Sequence, residues 1–373
     1  MADAELASET ARPANPFLVE ENCNQSGYNI VGYDSRFFAI HQSNGAFDHE
    51  RVLRNEYSAP VFEARTLSEI RGILAETSRK QELCVNPAAK VDPSAIQKAR
   101  ESVPSGHYYS PFPSVEDIRN FARFDRSLVR TIPAVDLDVE VHTAHLQEMI
   151  NEYASLPPFP KSKVADSRYY YDNEQQWYFD ALAIQHFVLT CRPKRIIEIG
   201  GGYSTAAMMD AVDRCGVRTQ FTMIEPDPVR LKALLRPEDL TSHKLIEDKT
   251  QNVPLETFDQ LEADDILFID SSHVSKFRSD VNWYFFEILP RLKTGVFIHI
   301  HDIGYPFEYS PDFLEGGLSW TEAYMLRAFL MYNTGFRIEF WSAYASHFQG
   351  GLIAETMPLC RQWPGGAFWM RRL

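Results

Sequence analysis

The chain has 373 residues, 45% hydrophobic, 13% aromatic and 24% charged. That balance supports a sizeable core and, by length, about two domains, and it excludes a disordered chain. Apolar runs such as Ile266–Ile269 are strand-sized, far short of the roughly 20 residues a bilayer demands, and no basic, apolar leader opens the chain. A cytoplasmic protein without membrane contact is therefore expected. A formal net charge of −14 repels a polyanion, so no nucleic-acid partner is expected. The five scattered cysteines form no C-x-x-C pair, which argues against a disulfide framework or a zinc ribbon.

Residues 1–16 are small and polar and read as a disordered tail. Residues 17–77 read as a small α+β module. Within it, Tyr28–Tyr33 and Arg36–Ile40 flank Asp34-Ser35 as a hairpin, and residues 60–63 supply a further strand. Thr66 and Glu69 form a capping-box pattern ahead of Ile70, Ile73 and Leu74, which share a helix face. Residues 78–110, with Pro87, Pro93 and Pro104, read as a linker containing a short helix. The rest, 111–373, reads as one domain with a helical lead-in and a core over 169–373. Ser114 opens a helix, 142–153 is helical, and 173–189 reads as a long amphipathic helix running into the first core strand.

From there the pattern is regular. Strands are expected at 195–199, 220–224, 243–246, 265–270 and 295–301, with helices at 204–212, near 234–235, at 280–289 and at 321–332. Continuous apolar strands alternating with helices predict an α/β, Rossmann-like doubly wound sheet, mostly parallel and covered on both faces. Two last strands, 336–341 and 366–370, have little helix apparent between them and predict a closing antiparallel hairpin.

Glu198, Gly200, Gly201, Gly202 and Ser204 stand where the first strand turns into the first helix. Glycines let the backbone approach a ligand, and a helix start offers N–H groups. Glu225, closing the second strand, suits ribose hydroxyls. A dinucleotide fingerprint needs a third glycine where Thr205 stands. The acidic Glu198 suits a positively charged ligand instead, and S-adenosylmethionine offers both an amino group and a sulfonium.

Asp270 closes the fourth strand, and His301 with Asp302 closes the fifth. Neighbouring carboxyl ends of a parallel sheet open onto one crevice, so Asp270, His301 and Asp302 are candidate ligands for a divalent cation. His273 is a candidate base for taking the proton of a neutral hydroxyl; packing against the next helix is its structural alternative. His299 reads as a buried core histidine. His142 and His145 share a helix face and read as surface positions with no third ligand near in sequence. Trp320, Glu322 and Tyr324 follow the fifth strand, where substrate-facing loops lie.

The stretches R-I-I-E-I-G-G-G-Y-S-T, F-T-M-I-E-P, D-I-L-F-I-D-S-S-H and G-V-F-I-H-I-H-D-I resemble the class I S-adenosylmethionine-dependent methyltransferases over about 169–373. Closest in pattern are bacterial enzymes with D-x-S-H at the fourth strand. The resemblance implies that Glu198, Gly200 and Gly202 hold the methionine portion and Glu225 the ribose. It places Asp248 or Gln251 near the adenine. It also implies a metal, magnesium in the catechol-type and sugar enzymes. His301, where those families carry an acid, shifts the choice toward manganese, iron or zinc, or toward metal-free chemistry at Asp270 and His273. The expected reaction is O-methylation of a small hydroxylated, sugar-like or secondary-metabolite acceptor. A silent methyltransferase-fold scaffold and an N-methyltransferase are the alternatives. The N-terminal module, G-Y-N-I-V-G-Y-D-S-R-F-F-A-I, resembles segments of glycan-related bacterial proteins; a dimerisation element of a homo-oligomer is the equal alternative.

Overall fold

Strand positions follow the apolar runs, and the computed structural model shows why: nearly every strand residue has something to bury against. The structure describes residues 16–20, 28–33, 36–44, 46–54, 57, 61–74, 93–122 and 129–373. The expected tail before Pro16, the hairpin turn at Asp34-Ser35 and the first part of the expected linker lie outside these residues. The chain divides into two units, 1–100 and 101–373.

In the first unit, β1 (Phe17–Glu20), β2 (Tyr28–Tyr33), β3 (Arg36–His41) and β4 (Val61–Ala64) form an antiparallel meander in that order. Tyr33 pairs with Arg36 and Tyr28 with His41. Tyr28, Ile30 and Ala39 on one sheet face bury against Ile70 and Leu74 of the helix over 67–74. The capping box forms: Glu69 N–H donates to Thr66 Oγ1, and Thr66 N–H to Glu69 Oε2.

The second unit holds a seven-stranded sheet of β5 (Arg195–Ile199), β6 (Gln220–Ile224), β7 (Lys244–Ile246), β8 (Ile266–Ile269), β9 (Phe297–Ile300), β10 (Phe336–Trp341) and β11 (Phe368–Arg372). Their order is β10-β11-β9-β8-β5-β6-β7. β5 to β9 run parallel, while β11 is antiparallel to both its neighbours. Side chains alternate between faces. Ile196, Ile266, Phe268 and Phe297 join one core, and Ile197, Ile199, Leu267, Ile269, Ile298 and Ile300 the other. The first core lies under α1 (Val139–Ser155), α2 (Tyr178–Cys191) and α3 (Tyr203–Cys215). Each large apolar side chain fully buried there contributes about 1.5–3 kcal/mol.

Two expectations are corrected. The helix before β5 is shorter than 173–189 and is not amphipathic, because from Tyr178 to Val188 every residue is buried. It is sandwiched in the core rather than laid on its surface. The last two strands are not a simple hairpin: α5 (Ser342–Thr356) lies between them. Its Gly350-Gly351 pair and lack of an apolar stripe hide it from a periodicity reading. The antiparallel pairing of β10 with β11 is as expected. Before α5, α4 (Glu322–Leu330) covers the second core with Ala323, Leu326 and Leu330.

Candidate active site

The carboxyl ends of β5, β6, β8 and β9 open into one cleft of about 920 Å³, a volume ordinary for a small-molecule site. Gly200 has φ +86°, and a side-chain carbon there would collide with the backbone carbonyl of Asp270. A glycine is needed because the ends of β5 and β8 approach this closely. Gly202 precedes α3 in extended conformation, and a side chain there would press on Arg230, at 3.3 Å from Nε. Glu225 closes the opposite wall: its carboxylate accepts from Gly201 N–H at 3.0 Å and Asp227 N–H at 2.8 Å. Gln251 lines the cleft and donates to the carbonyl of Arg278 at 2.8 Å. Arg230, Lys249, Lys276 and Arg278 bring cations to this otherwise acidic surface.

The other half is a cluster of carboxylates and imidazoles. His273 Nε2 lies 3.3 Å from Asp270 Oδ1 and 3.8 Å from Asp302 Oδ2. Its Nδ1–H donates to Glu322 Oε2 at 2.7 Å, which fixes the tautomer and ring orientation. The backbone repeats the link, since the His273 carbonyl accepts from the N–H groups of Thr321 and Glu322 at the start of α4. Tyr284 Oη donates to the second Glu322 oxygen, and the Trp320 ring lies 4.2 Å from the His273 ring. His273 and Asp302 both occupy left-handed backbone, at φ +57°, conformations that concentrate at functional sites. Burial disfavours charge on His273, but Glu322, Asp270 and Asp302 outweigh it and hold the imidazole well above its usual value.

Beneath this cluster, burial pushes the Asp180 carboxyl up to about 6, and one of its oxygens accepts from Gly366 and Ala367 N–H. Burial and the charge on His301 hold His299 well below the imidazole range, so it stands neutral and accepts from His301 Nδ1–H at 3.1 Å. Burial also resists charging of His301, but Asp302, Asp270 and Asp180 raise its pKa nonetheless.

A family described as a methyltransferase domain matches residues 197–303, a segment holding Gly200–Gly202, Glu225, Asp270, His273 and Asp302. The chain carries a methyltransferase domain. It belongs to one family with an uncharacterized protein of Archaeoglobus fulgidus, to which it is 32% identical over 169 residues, 43% of this chain and 73% of that protein. Among solved structures it is similar to the SAH-bound Podospora anserina methyltransferase PaMTH1, with 16% identity, TM-score 0.35, and coverage of 71% of this chain and 99% of that one. It is also similar to the O-methyltransferase TomG from Streptomyces achromogenes in complex with SAM, with 14% identity, TM-score 0.35, and coverage of 64% and 91%.

Within this methyltransferase domain the sequence-derived residues separate. Gly200, Gly201, Gly202, Ser204, Glu225, Gln251, Asp270, His273, His301 and Asp302 all line the cleft. Glu198 does not. It points to the face covered by α3, where Ser204 Oγ donates to Oε1 at 2.6 Å and Thr205 Oγ1 to Oε2. Burial there pushes its carboxyl up to about 8. Strand alternation carries the explanation: Glu198 shares the side of Ile196, away from Ile197 and Ile199. Asp248 is likewise outside the cleft wall; it accepts from Lys249 N–H and Asn252 Nδ2 and so shapes the turn that presents Gln251.

The candidate ion ligands regroup as well. Asp270, His273 and Asp302 bring ligand atoms within 4.8 Å of one another, whereas His301, 2% exposed, spends Nδ1 on His299 and keeps Nε2 3.8 Å from Asp302. The residue the sequence undervalued is Glu322, which position alone placed near substrate and which in fact holds His273. His142 and His145 are also corrected. His142 is buried and bonds to the Trp341 carbonyl, and His145 faces His186.

Proposed function

We propose that this protein transfers a methyl group from S-adenosylmethionine to a hydroxyl of a small acceptor, with His273 as the base. The observation that carries this is the His273–Glu322 pair: an imidazole with Nδ1 tied to a buried carboxylate and Nε2 aimed into the cleft beside two acids. S-adenosylmethionine supplies an electrophilic methyl carbon on a sulfonium. Glu225 takes the ribose hydroxyls, the Gly200–Gly202 turn faces the methionine portion, and Gln251 stands at the adenine. His273 Nε2 takes the acceptor's proton as the oxygen–carbon bond forms and the carbon–sulfur electron pair leaves to sulfur. The proton then rests on an imidazolium that Glu322 stabilises.

The donor set also fits a divalent cation. Two half-buried carboxylates, Asp270 and Asp302, would hold it, leaving His273 Nε2 free as the base. Held there by Asp270 and Asp302, an ion would lower the pKa of the acceptor hydroxyl. Asp302 also lines an adjoining recess of about 260 Å³ with Tyr305, Tyr309, Phe313, His347 and Trp363. This aromatic recess, with Glu308 and Asp312 at its edge, is the place for a small hydroxylated ring.

Calorimetry with S-adenosylhomocysteine tests the donor half: a folded protein that takes up none at high micromolar concentration ends this reading. Mass spectrometry of acceptor mixtures tests the other half. Methyl gain on oxygen, lost in His273→Ala, is the expected result, and methyl gain on nitrogen rejects it. Full activity in chelator assigns the chemistry to His273 without an ion.

A further inference from the structure

A second cluster of ion-binding side chains joins α1, α2 and β10, and none of its members lines the cleft or the aromatic recess. His145 Nδ1 and His186 Nε2 face each other at 2.8 Å. The outer nitrogen of each ring is already committed. His186 Nδ1 lies 2.7 Å from Glu152 Oε1, and His145 Nε2 lies 3.3 Å from Glu339 Oε2. With the outer nitrogens facing carboxylates, the inner nitrogens of the two rings turn toward each other and toward Glu148.

We propose that His145, His186 and Glu148 bind one transition-metal ion of the zinc, cobalt or nickel class. The carboxylate–histidine pairing of Glu152 with His186 and Glu339 with His145 is the arrangement that orients metal-bound imidazoles. A third ligand is at hand. Glu148 follows His145 by three residues on the same face of α1, with Oε2 4.0 Å from His186 Nε2, and the three ligand atoms lie within 4.8 Å of one another. Two nitrogens about 2.0–2.1 Å from a tetrahedral ion are about 3.3 Å apart, so the rings open by about half an ångström. His186 is fully buried, whereas the Glu148 side chain is 61% exposed, so the ion enters from solvent and the fourth position belongs to water. The ion pins the lead-in helix α1 to α2, next to the strand that supplies Glu339.

Cobalt(II) titration of the full chain tests this, with Asp270→Asn and Asp302→Asn introduced so that the cleft contributes no site. One equivalent with the visible absorption of a tetrahedral ion is expected, together with a rise in melting temperature. Further substitution of Glu152→Gln weakens binding by about 10–100-fold, and His145→Gln abolishes it. Should His145→Gln fail to fold, Glu148→Gln, at an exposed position, decides: at least about a tenfold loss is expected. No bound cobalt in the parent variant, or unchanged affinity after Glu148→Gln, overturns the proposal and leaves a shared proton between the two rings.

Discussion

The two halves of the cleft are built on different principles. Around Gly200 the wall is main chain: Gly200 N–H bonds to the Ile224 carbonyl, Gly201 N–H to Glu225, and β5 and β8 converge without room for a side chain. Around His273 the wall is charge: Asp270 and Asp302, backed by the buried Glu322 and Asp180, arrive from four separate segments and balance two imidazoles. The first half has one geometry and tolerates little. The second can be retuned residue by residue, because its state depends on which groups carry protons.

That contrast can be broken most severely at Gly200. Gly200→Ala combines a left-handed backbone with a collision against Asp270, and a loss of at least about 3 kcal/mol is expected. A melting temperature equal to that of the parent would mean that the strand ends do not converge as described. In the charged half, His273→Ala is expected to lower turnover by about 10²–10⁴-fold while leaving S-adenosylhomocysteine affinity nearly unchanged. An equal loss in both quantities would make His273 structural. Glu225→Gln removes an anionic acceptor worth about 1.5–3 kcal/mol, read by calorimetry as a weaker cofactor product with the fold intact.

The smaller effects sharpen the comparison. His273 is held above the usual imidazole value, so the free base appears, and turnover rises, only as pH climbs through that raised pKa. Glu322 is the strongest of the charges opposing desolvation, so Glu322→Gln moves this limb of the pH–rate profile toward acid; a limb that stays put removes Glu322 from the role assigned to it. Glu198 is the mildest case. Burial pushes its carboxyl up to about 8 and Ser204 and Thr205 hold it away from the cleft, so Glu198→Gln should be nearly silent in cofactor affinity. A large loss of affinity would restore the ionised carboxylate facing the methionine portion.

The fold was largely legible because strand periodicity and burial report the same thing: an apolar run such as Ile266–Ile269 has few uses except a strand covered on both faces. The glycine turn and Glu225 were legible because they adjoin strand ends in sequence. The inward turn of Glu198 is legible as well, because alternation along β5 puts it on the side of Ile196. Helix α5 and the burial of α2 were not, since neither carries the apolar stripe that periodicity detects.

By itself, then, the sequence determined the parallel sheet, its reversed terminal strand and the line of residues along its carboxyl edge, because these depend on neighbours a few positions apart. Only tertiary structure decided which acids and imidazoles share protons. His273 meets Glu322 across 49 positions, Asp180 meets Gly366 across 186, and His145 meets Glu339 across 194. Coulombic interaction depends on separation in space and on burial, and neither can be read from spacing along the chain.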